Sequence, residues 1–408
     1  MNNKTTQTAV PKLRFPEFRD AGGWQVKSLQ KLAKRMTLKN KDDDIKRVLT
    51  NSAIDGVVDQ RDYFDKDIAN KNNLNGYCIV DEGDYVYNPR ISNVAPVGPI
   101  SKNRIGKGIM SPLYTVFRFN CSSNEFYEQY FKSTQWHHYL KKISNSGARH
   151  DRISITNDEF MKMPLPEPES EEQQKIADCL SSVDELIAHE GQKLEALQDH
   201  KKGLMQELFP AEGETLPKRR FPEFQNAPEW EEKEVGEIFK VTRGNVLSMT
   251  LVGNQQTDAK PYPVYSSQTK RNGLSGFYSE YLYGNAITWT TDGANAGDVN
   301  YRSGKFYCTN VCGVLLNDEG YANPCIAALI NNVSKNHVSY VGNPKLMNGV
   351  MSKIRIPVPA IAEQKKIIEL LSSLDEIVDN QLQKIEALKE HKTGLMQQLF
   401  PSAEEVMG

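Results

Sequence analysis

Several short stretches of this chain contain residue types that could carry catalysis, but each departs from the pattern that its chemistry requires. A metal-dependent nuclease needs spaced carboxylates and a lysine, and the segment Glu229–Lys233 resembles part of such a site. The chain repeats internally, and the corresponding positions, Gly23–Lys27, keep only the lysine. The pattern therefore favours a solvated surface over a metal site.

Other catalytic signatures are also incomplete. An amino-methyltransferase would carry Asn or Asp, two prolines and an aromatic residue in succession, whereas Asn88–Arg90 lacks the second proline and the aromatic residue. The segment Gly106–Gly108 is an isolated glycine pair that indicates a turn, and the chain has no phosphate-binding loop. His137 and His138 lack the spacing of a zinc protease and are predicted to be structural. The sequence thus predicts a protein that is not an enzyme.

The cysteines and the apolar runs indicate the class of protein. Six cysteines are scattered without a CxxC pair. Cys308 and Cys312 fall in a β-rich run, Phe306–Leu316, where one strand face would carry both, and buried thiols are favoured over zinc. Met1–Val10 lacks the apolar core of a signal peptide, and no apolar run reaches membrane-spanning length. A soluble cytoplasmic protein is therefore expected.

One long helical stretch occurs twice. Glu172–Pro210 returns without a gap as Glu363–Pro401, with more than half of the positions identical. In each copy apolar residues recur at alternating steps of four and three, which is the a/d seam of a coiled coil. An ordinary amphipathic helix in a bundle is the alternative. The first seam comprises Ile176, Leu180, Val183, Ile187, Leu194, Leu197, Leu204 and Leu208, and the second comprises Ile367, Leu371, Leu374, Val378, Ile385, Leu388, Leu395 and Leu399.

Polar residues interrupt both seams at matching points. The interruptions are Glu190 and Lys201 in the first copy, and Gln381 and Lys392 in the second. Such interruptions are typical of a pair that sets register at some cost in stability. Each helix has about 36 residues and would span roughly 54 Å. Prolines mark the beginning and the end of both helices, at positions 166, 168 and 210 for the first and at positions 357, 359 and 401 for the second.

The stretches between the helices repeat as well. Pro11–Phe18 returns as Pro217–Phe224, and the same shift carries Trp24 to Trp230. The chain is therefore module–helix–module–helix, with modules at 11–165 and 217–356 and helical segments at 166–210 and 357–401. Short apolar runs in both modules predict strands. Helices are predicted over 125–142 and 324–332. The module interiors have diverged, so each module can recognise a different target.

Charge separates modules from helices. The net charge is −2, but 11–165 carries about +7 and 217–357 about +3, whereas the helical segments with the residues that follow them carry about −9 and −4. Two basic modules on an acidic spacer are reasonable candidates for DNA binding.

The same short motif precedes both long helices, and both helices end in Gly-Leu-Met-Gln. The motif is Pro166-x-Pro168-x3-Glu172-Gln173 in the first copy and Pro357-x-Pro359-x3-Glu363-Gln364 in the second. This arrangement resembles the specificity subunit of type I restriction–modification enzymes, over nearly the whole chain. The resemblance implies an α+β fold with two target-recognition domains and two long spacer helices that form an antiparallel intramolecular coiled coil. It also implies a pseudo-two-fold tandem repeat, in which each domain reads one half of a bipartite site in double-stranded DNA.

The resemblance further implies partners and cofactors. Two modification subunits would bind S-adenosylmethionine and methylate adenine, and two restriction subunits would use ATP and Mg for translocation and cleavage, with no cofactor on this chain itself. The two long helices would together form a rod of ~54 Å, which corresponds to roughly 16 base pairs of DNA. This is an upper limit for the separation of the half-sites, because DNA can bend. The acidic face of the rod is the expected docking surface for the partners.

Polar loop residues are the candidates for DNA contact, because Arg can bind a guanine edge in a bidentate manner and Asn an adenine edge. For any one of them, a turn residue or a phosphate contact is the alternative. In the first module the candidates are Thr50, Asn51, Ser52, Asn88, Arg90, Ser92, Asn93, Ser146, Arg149, His150 and Arg152. In the second they are Ser266, Ser267, Gln268, Asn272, Thr291, Asp292, Asn295, Lys345 and Asn348.

Two other functions compete with DNA recognition. A coiled-coil adaptor that binds only protein would bind random and selected DNA with equal affinity. A self-contained methyltransferase or nuclease would act without partner subunits, and purified chain with S-adenosylmethionine would then transfer methyl groups.

Overall fold

A computed structural model describes residues 7–41, 44–63, 74–121, 124–144, 151–211, 213–267 and 271–408. The chain divides into two compact units. Unit 1 consists of Met1–Gly191 with Gln383–Gly408, and unit 2 consists of Gln192–Leu382. The division falls within both long helices, so each unit contains one module and a part of each helix.

The module of unit 1 contains short strands and short helices. Its strands are β1 Thr8–Ala9, β2 Trp24–Ser28, β3 Ala33–Arg35, β4 Leu49–Ser52, β5 Gly56–Asp59, β6 Cys78–Val80, β7 Tyr85–Tyr87, β8 Ile100–Lys102, β9 Gly108–Met110, β10 Thr115–Phe119 and β11 Pro164–Glu167. Its helices are α1 Leu29–Leu32, α2 Gln60–Tyr63, α3 Glu125–Lys132, α4 His137–Ile143 and α5 Asn157–Met161.

These strands form several small sheets. One has the order β1-β2-β11 and another the order β3-β10-β7-β8, while β4 pairs with β5 and β6 pairs with β9. The main core is aromatic, with Tyr85, Phe117, Phe126 and Tyr130 fully buried in it. The predicted helix over 125–142 is wrong as a single element. It is two helices, because Ser133 at the end of α3 turns extended and its hydroxyl donates to the Tyr130 carbonyl at 2.6 Å.

The module of unit 2 is built on a larger sheet. Its strands are β12 Glu231–Glu234, β13 Lys240–Arg243, β14 Tyr262–Tyr265, β15 Leu274–Tyr278, β16 Tyr283–Thr290, β17 Val299–Cys308, β18 Cys312–Leu316 and β19 Arg355–Val358. Its helices are α7 Val235–Ile238, α8 Pro324–Ser334 and α9 Asn348–Met351. Six strands form one sheet in the order β13-β18-β16-β17-β14-β15, while β12 pairs with β19. The predicted helix over 324–332 corresponds to α8.

The expected common strand for Cys308 and Cys312 is wrong. Cys308 ends β17 and Cys312 begins β18, and the Cys312 amide donates to the Thr309 carbonyl at 3.0 Å in the intervening turn. Both thiols are buried, and all six cysteines are free. Burial raises the pKa of Cys312 to about 11, so this thiol stays protonated at neutral pH. The prediction of buried thiols is confirmed for this pair.

The repeated stretches are the two longest helices, α6 Ser170–Leu208 and α10 Ile361–Leu399, with a short helix α11 Ala403–Met407 after them. Each long helix has 39 residues and is about 58 Å long at 1.5 Å per residue. Every predicted seam residue is buried or half-buried, and none is exposed. The predicted α+β class, with two modules and two long helices, is confirmed.

In unit 1 the two helices run antiparallel. Asp184 on α6 pairs with Lys392 on α10 at 2.5 Å, and Glu190 pairs with Lys384 at 2.5 Å. A higher residue number on one helix thus meets a lower number on the other. The interrupting residue Lys392 is directed at an aspartate beside the opposite seam rather than at the matching lysine.

Unit 2 repeats this ion pair. Lys201 on α6 pairs with Asp375 on α10, and these residues correspond in the repeat to Lys392 and Asp184. Met205 and Phe209 near the end of α6 pack in one core with Ile367 near the start of α10, which makes the helices antiparallel in this unit also. The two lysine interruptions, Lys201 and Lys392, therefore form matched lysine–aspartate pairs, one in each unit.

A buried carboxylate at the start of α6 holds the first module to the helix. Glu172 accepts hydrogen bonds from Arg14 Nε at 2.8 Å and Nη2 at 2.5 Å, and from Trp24 Nε1 at 2.9 Å. The neighbouring Gln173 donates to the Pro168 carbonyl at 2.8 Å. We call the carboxylate with its arginine and tryptophan the latch. It gives a physical reason for the Pro-x-Pro-x3-Glu-Gln pattern, because the glutamate anchors the module and the glutamine anchors the chain before the helix.

The latch recurs in unit 2 with the same atoms. Glu363 accepts from Arg220 Nε at 2.8 Å and Nη2 at 2.7 Å, and from Trp230 Nε1 at 3.0 Å. Gln364 donates to the Pro359 carbonyl at 2.7 Å. The duplication therefore preserves a frame that consists of a latch, a strand pair and a long helix.

The strand pairs of the frame mark where each module leaves it. In unit 1, β2 pairs with β11, and the Leu29 amide then donates to the Met163 carbonyl at 2.8 Å. In unit 2, β12 pairs with β19, and the Val235 amide donates to the Ile354 carbonyl at 2.9 Å. Two different sets of strands are inserted at equivalent places in the same frame.

Candidate nucleic-acid interface

In module 1 the β4–β5 hairpin carries three of the predicted residues, all of them buried. The Thr50 hydroxyl lies 3.0 Å from the Tyr114 hydroxyl. Ser52 accepts at its hydroxyl from the amides of Ile54 and Asp55, each at 3.2 Å. Ser52 therefore organises the turn of the hairpin, which is the alternative role considered for it.

Of the predicted residues of module 1, two asparagines are buried, and both hold backbone rather than point outward. Asn51 Nδ2 donates to the carbonyls of Val86 at 2.7 Å and Pro99 at 3.2 Å. Asn88 Nδ2 donates to the Asn51 carbonyl at 2.9 Å, and Asn88 Oδ1 accepts from the Arg90 amide at 3.1 Å. Their amides connect the β4–β5 hairpin to the loop after β7, and that loop presents Arg90.

A glycine permits this loop to fold closely on itself. Gly98 has φ of 80°, and a Cβ at this position would lie 2.0 Å from the Asn88 carbonyl oxygen, so a larger residue would displace the loop. Within the loop, Ser92 and Ala95 exchange backbone hydrogen bonds, and the Ser92 hydroxyl accepts from the Ala95 amide at 3.1 Å. Asn93 is exposed at this turn.

The same loop brings two arginines together. Arg90 and Arg152 lie opposite each other in an antiparallel bridge, supported by hydrogen bonds from the Ile91 amide to the Asp151 carbonyl at 3.0 Å and from the Ile153 amide to the Pro89 carbonyl at 2.9 Å. Residues opposite each other in such a pair project to one side. Arg152 Nε lies 3.4 Å from the carboxylate of Asp151, and Arg90 is exposed. Guanidinium groups placed in this way can donate to a phosphate or to a guanine edge.

A groove of about 420 Å³ gathers most of these positions on one surface of module 1. It is lined by Thr50, Asn51, Ser52, Asn88, Arg90 and Ser92, all of them predicted from the sequence, together with Tyr63, Tyr77 and Tyr114.

In module 2 two loops of predicted residues meet. Asn295 Nδ2 donates to the Ser267 carbonyl at 3.3 Å. The Ser266 hydroxyl accepts from Thr309 Oγ1 at 3.0 Å. Asn272 is exposed with φ of 50°, a conformation that Asn adopts more readily than most residues. These four predicted residues therefore belong to one continuous region.

A second group of predicted residues of module 2 lies beside the loop that follows β16. Thr291 is buried and its hydroxyl donates to Asp292 Oδ2 at 2.7 Å. Lys345 forms a bridge with Asp292, and their charged atoms are 3.8 Å apart. Asn348 begins α9, and its Nδ2 donates to the Thr242 carbonyl at 3.4 Å.

Sequence reasoning missed Arg302, which is 8% exposed and lines a polar cavity of about 160 Å³ with Ser266 and Asn272. Its Nε donates to Thr288 Oγ1 at 3.0 Å, and its Nη2 donates to the Asn272 carbonyl at 2.7 Å. The guanidinium lies 3.8 Å from the centre of the Tyr265 ring. Burial lowers the pKa of Arg302. A lone arginine in a strand gives no periodic signal, so the sequence offered no means of finding it.

Four predicted residues, Ser146, Arg149, His150 and Gln268, lie outside the described residues. The segment rejected as a nuclease site, Glu229–Lys233, forms ordinary surface ion pairs. Lys233 pairs with Glu231 at 3.0 Å, and Glu232 pairs with Arg355 at 3.1 Å across β12 and β19.

Two absences hold for the described part of the chain. No group of three or more His, Cys, Asp or Glu side chains within it is placed to hold a metal ion. None of its helices combines the length and the apolar character that crossing a bilayer requires.

The sequence matches the family described as "Type I restriction modification DNA specificity domain" over residues 23–199 and again over residues 228–390. The two matches fall on the two halves of the repeat and cover most of the chain. The chain therefore belongs to the type I restriction–modification DNA specificity family. This membership confirms the resemblance stated from the helix motifs and the expectation of a specificity subunit rather than an enzyme.

Individual relatives carry the same description. The chain is 39% identical over 143 residues to the N-terminus of a putative type I specificity subunit of Mycoplasma pneumoniae, covering 34% of this chain and 74% of the relative. It is 26% identical over 279 residues to a putative type I restriction enzyme specificity subunit of Methanocaldococcus jannaschii, covering 64% of this chain and 63% of the relative.

Two solved structures share the fold at low sequence identity. The S subunit of a type I restriction–modification system from M. genitalium aligns with a TM-score of 0.55 at 17% identity, covering 96% of this chain and 99% of that chain. A chain from a structure of complex assembly and conformational transition of the type I system aligns with a TM-score of 0.61 at 15% identity, covering 96% of this chain and 100% of that chain. At these identities the likeness concerns the fold alone.

Proposed function

We propose that this chain is the subunit that selects the DNA sequence in a type I restriction–modification complex, and that it reads a bipartite site. The observation that carries the proposal is one duplicated frame into which two different modules are inserted. A repeated frame gives each module an equivalent mounting on a long helix, while unlike interiors give each a different surface. Two unlike half-sites in one double-stranded target match this design.

Module 1 would contact its half-site through the groove that Arg90 lines and through Arg152, which is paired with Arg90 in the bridge. The two guanidinium groups supply donors for a phosphate or a guanine edge. The buried amides of Asn51 and Asn88 hold the backbone that presents Arg90. Module 2 would use the region around Asn272, Asn295 and Lys345.

Catalysis would reside in the partners. Two modification subunits would bind S-adenosylmethionine and flip an adenine of each half-site into their own pockets. Two restriction subunits with ATP and Mg would carry out translocation and cleavage. The long acidic helices offer the partners an extended surface, which accounts for conservation of the frame between the two halves of the chain while the module interiors diverged.

A module exchange tests the proposal, and the frame defines its boundaries. Residues 29–163 would be replaced by the equivalent insert of another specificity subunit, so that the latch and the β2–β11 pair remain. Methylome sequencing of cells that express the chain with its modification subunits should then show one new half-site and one unchanged half-site. Re-inserting the native segment through the same junctions is the matched control.

Three other outcomes would count against the proposal. If both half-sites changed after one exchange, the modules would not read independently. If the reconstituted complex bound random and selected DNA with equal affinity, the chain would be a protein adaptor. If the purified chain alone methylated DNA with S-adenosylmethionine, catalysis would not reside in the partners.

A further inference from the structure

A hairpin tip in module 2 exposes two adjacent apolar side chains. Tyr340 is 69% exposed and Val341 is 93% exposed, the highest value for a large hydrophobic residue in the described part of the chain. Single exposed apolar residues are common on protein surfaces. Two exposed apolar residues in succession at the end of a hairpin form a small apolar projection that can insert between groups of a binding partner.

The tip is braced rather than loose. Ser339 and Lys345 donate to each other's carbonyls, each at 2.9 Å, and so close a loop of residues 340–344. Gly342 has φ of 79° within this loop, which permits the tight reversal. The Gly293 amide donates to the Pro344 carbonyl at 3.0 Å, which ties the loop to the segment after β16.

The base of the hairpin is fixed in the core. Leu346 is fully buried, its amide donates to the Thr291 carbonyl at 2.9 Å, and its carbonyl accepts from Trp289 Nε1 at 3.0 Å. Little conformational entropy would therefore be lost on inserting the tip into a partner, because the loop is already ordered.

The hairpin rises from the candidate DNA surface of module 2. Lys345 at its base is half-exposed and lies opposite Asp292, where it can reach a phosphate beside an inserted tip. Proteins that deform DNA insert apolar side chains between base pairs and place cations on the flanking backbone. The apolar tip and the adjacent lysine reproduce both parts of this arrangement.

We infer that Tyr340 and Val341 form an apolar wedge that enters the DNA duplex at the half-site of module 2 and unstacks one base step. The inference rests on the proposed function, and it adds a mode of recognition. The energy of deforming the step depends on its sequence, so the wedge selects a flexible step without reading base edges.

The test uses the full chain assembled with its modification subunits on a selected target. 2-Aminopurine replaces each adenine in and beside both half-sites in turn, so that its pairing with thymine is kept, and its fluorescence reports unstacking. In the wild-type complex, 2-aminopurine fluorescence should increase at one base step in the half-site of module 2, in addition to any increase at a flipped target adenine. The double variant Tyr340→Ser/Val341→Ser should lose that signal and bind roughly tenfold more weakly, as expected for loss of about one stacking contact.

A matched variant controls for loss of surface apolar area. Tyr281→Ser removes an exposed tyrosine from the same module at the end of the β14–β15 pair away from Ser266, where Tyr281 packs on Tyr262 at 5.0 Å. It should keep the unstacking signal and the affinity. Any target-adenine signal in the half-site of module 1 should persist in both variants and so separates flipping from wedging.

The outcomes distinguish failure of the wedge from failure of the proposed function. A wild-type complex that binds its site tightly without a brightened step at module 2, or a double variant that keeps the signal, overturns the wedge. A double variant that fails to assemble with the modification subunits also overturns the wedge and assigns the tip to a protein contact. A wild-type complex with no preference for the selected site refutes the proposed function instead.

Discussion

At the scale of single residues, each latch joins a module to its long helix through a buried ion pair. The Glu363 side chain is 2% exposed and faces Arg220, which is 8% exposed. Neither charge has much access to water, so each depends on the other for its solvation. Removing one member of a buried pair costs about 3–5 kcal/mol, because the remaining charge stays buried without compensation.

The variant Glu363→Gln keeps the shape of the side chain and removes its charge. We expect unit 2 to lose about 3 kcal/mol of stability, with amide exchange in β12 and β19 accelerated by about two orders of magnitude. Hydrogen exchange followed by mass spectrometry measures this unit by unit.

The control is Glu223→Gln. Glu223 is exposed and lies 4.0 Å from Lys366, so its loss should change exchange little. Equal protection in wild type and Glu363→Gln would show that the latch does not stabilise the module.

The candidate residues show why sequence alone ranks polar positions poorly. Asn51 and Arg90 have equal standing as polar residues beside predicted strands, but Asn51 is buried and Arg90 is exposed. What separates them is whether a backbone carbonyl lies within reach of the side chain, and that depends on contacts distant in sequence. Asn51 reaches Val86 and Pro99, and no local pattern contains that information.

At the scale of elements, Asp184 links the first module to the rod. It accepts hydrogen bonds from Lys392 at 2.5 Å, from Lys132 of α3 at 3.0 Å and from Gln129 of α3 at 3.1 Å. Burial raises the pKa of Asp184, but the hydrogen bond from Lys392 and the charge of Lys132 outweigh burial, so the pKa lies below its usual value. The ionised carboxylate is therefore the form that holds α3 and the two long helices together.

This shift fixes the pH dependence of the contact. A carboxyl whose pKa is depressed by folding stabilises the protein above its unfolded pKa of about 3.9, and loses that contribution as pH falls through the folded value. We expect Asp184→Asn to lower the free energy of unfolding of unit 1 by about 1–2 kcal/mol at pH 7. The difference from wild type should shrink below about pH 4, as measured by urea unfolding across this range.

Asp199→Asn is the matched control for this prediction. Asp199 lies on the same helix and is exposed, so its substitution should leave stability within about 0.5 kcal/mol of wild type at every pH. A difference for Asp184→Asn that stayed constant from pH 7 to pH 3 would mean that the charge is not what stabilises the contact.

The elements themselves were predictable to different degrees. The long helices follow from the heptad pattern, because their burial has the same period as the sequence. The division between α3 and α4 was missed because apolar side chains continue through it, with Phe131 and Trp136 on either side of the break and both in the core. Helical periodicity in a sequence reports which side chains are buried. Here the buried side chains continue across the break, although the backbone is no longer helical at Ser133.

At the scale of the whole molecule, the duplication made the architecture predictable. A sequence that repeats its frame and varies its inserts shows where one ends and the other begins, without knowledge of either fold. The insert sheets were not predictable in the same way. The six-stranded sheet of unit 2 places β14 parallel to β17 and β16 antiparallel to β18. These pairings connect strands that are not neighbours in the sequence and that carry no repeat.

If the length of the paired long helices sets the distance between the half-sites, lengthening both helices should change that distance without disturbing either module. Inserting one heptad into both long helices, after Gly191 and after Leu382 at the boundary between the units, keeps the a/d seam in phase. Seven residues add about 10.5 Å, which is about three base pairs of B-form DNA. Since the modules and latches are untouched, both half-sites should stay the same while the gap between them grows by about three base pairs in the methylome.

Two control insertions test whether the paired length of the two helices is what sets the gap between the half-sites. A heptad placed in only one helix breaks the match between the two seams, and a four-residue insertion in both moves the apolar positions out of phase, so neither should yield an active complex with a longer gap. A gap that stayed constant with the heptad in both helices, in a complex that still methylates, would show that DNA bending or the partners set the spacing. The helices would then hold the modules without measuring the distance between half-sites.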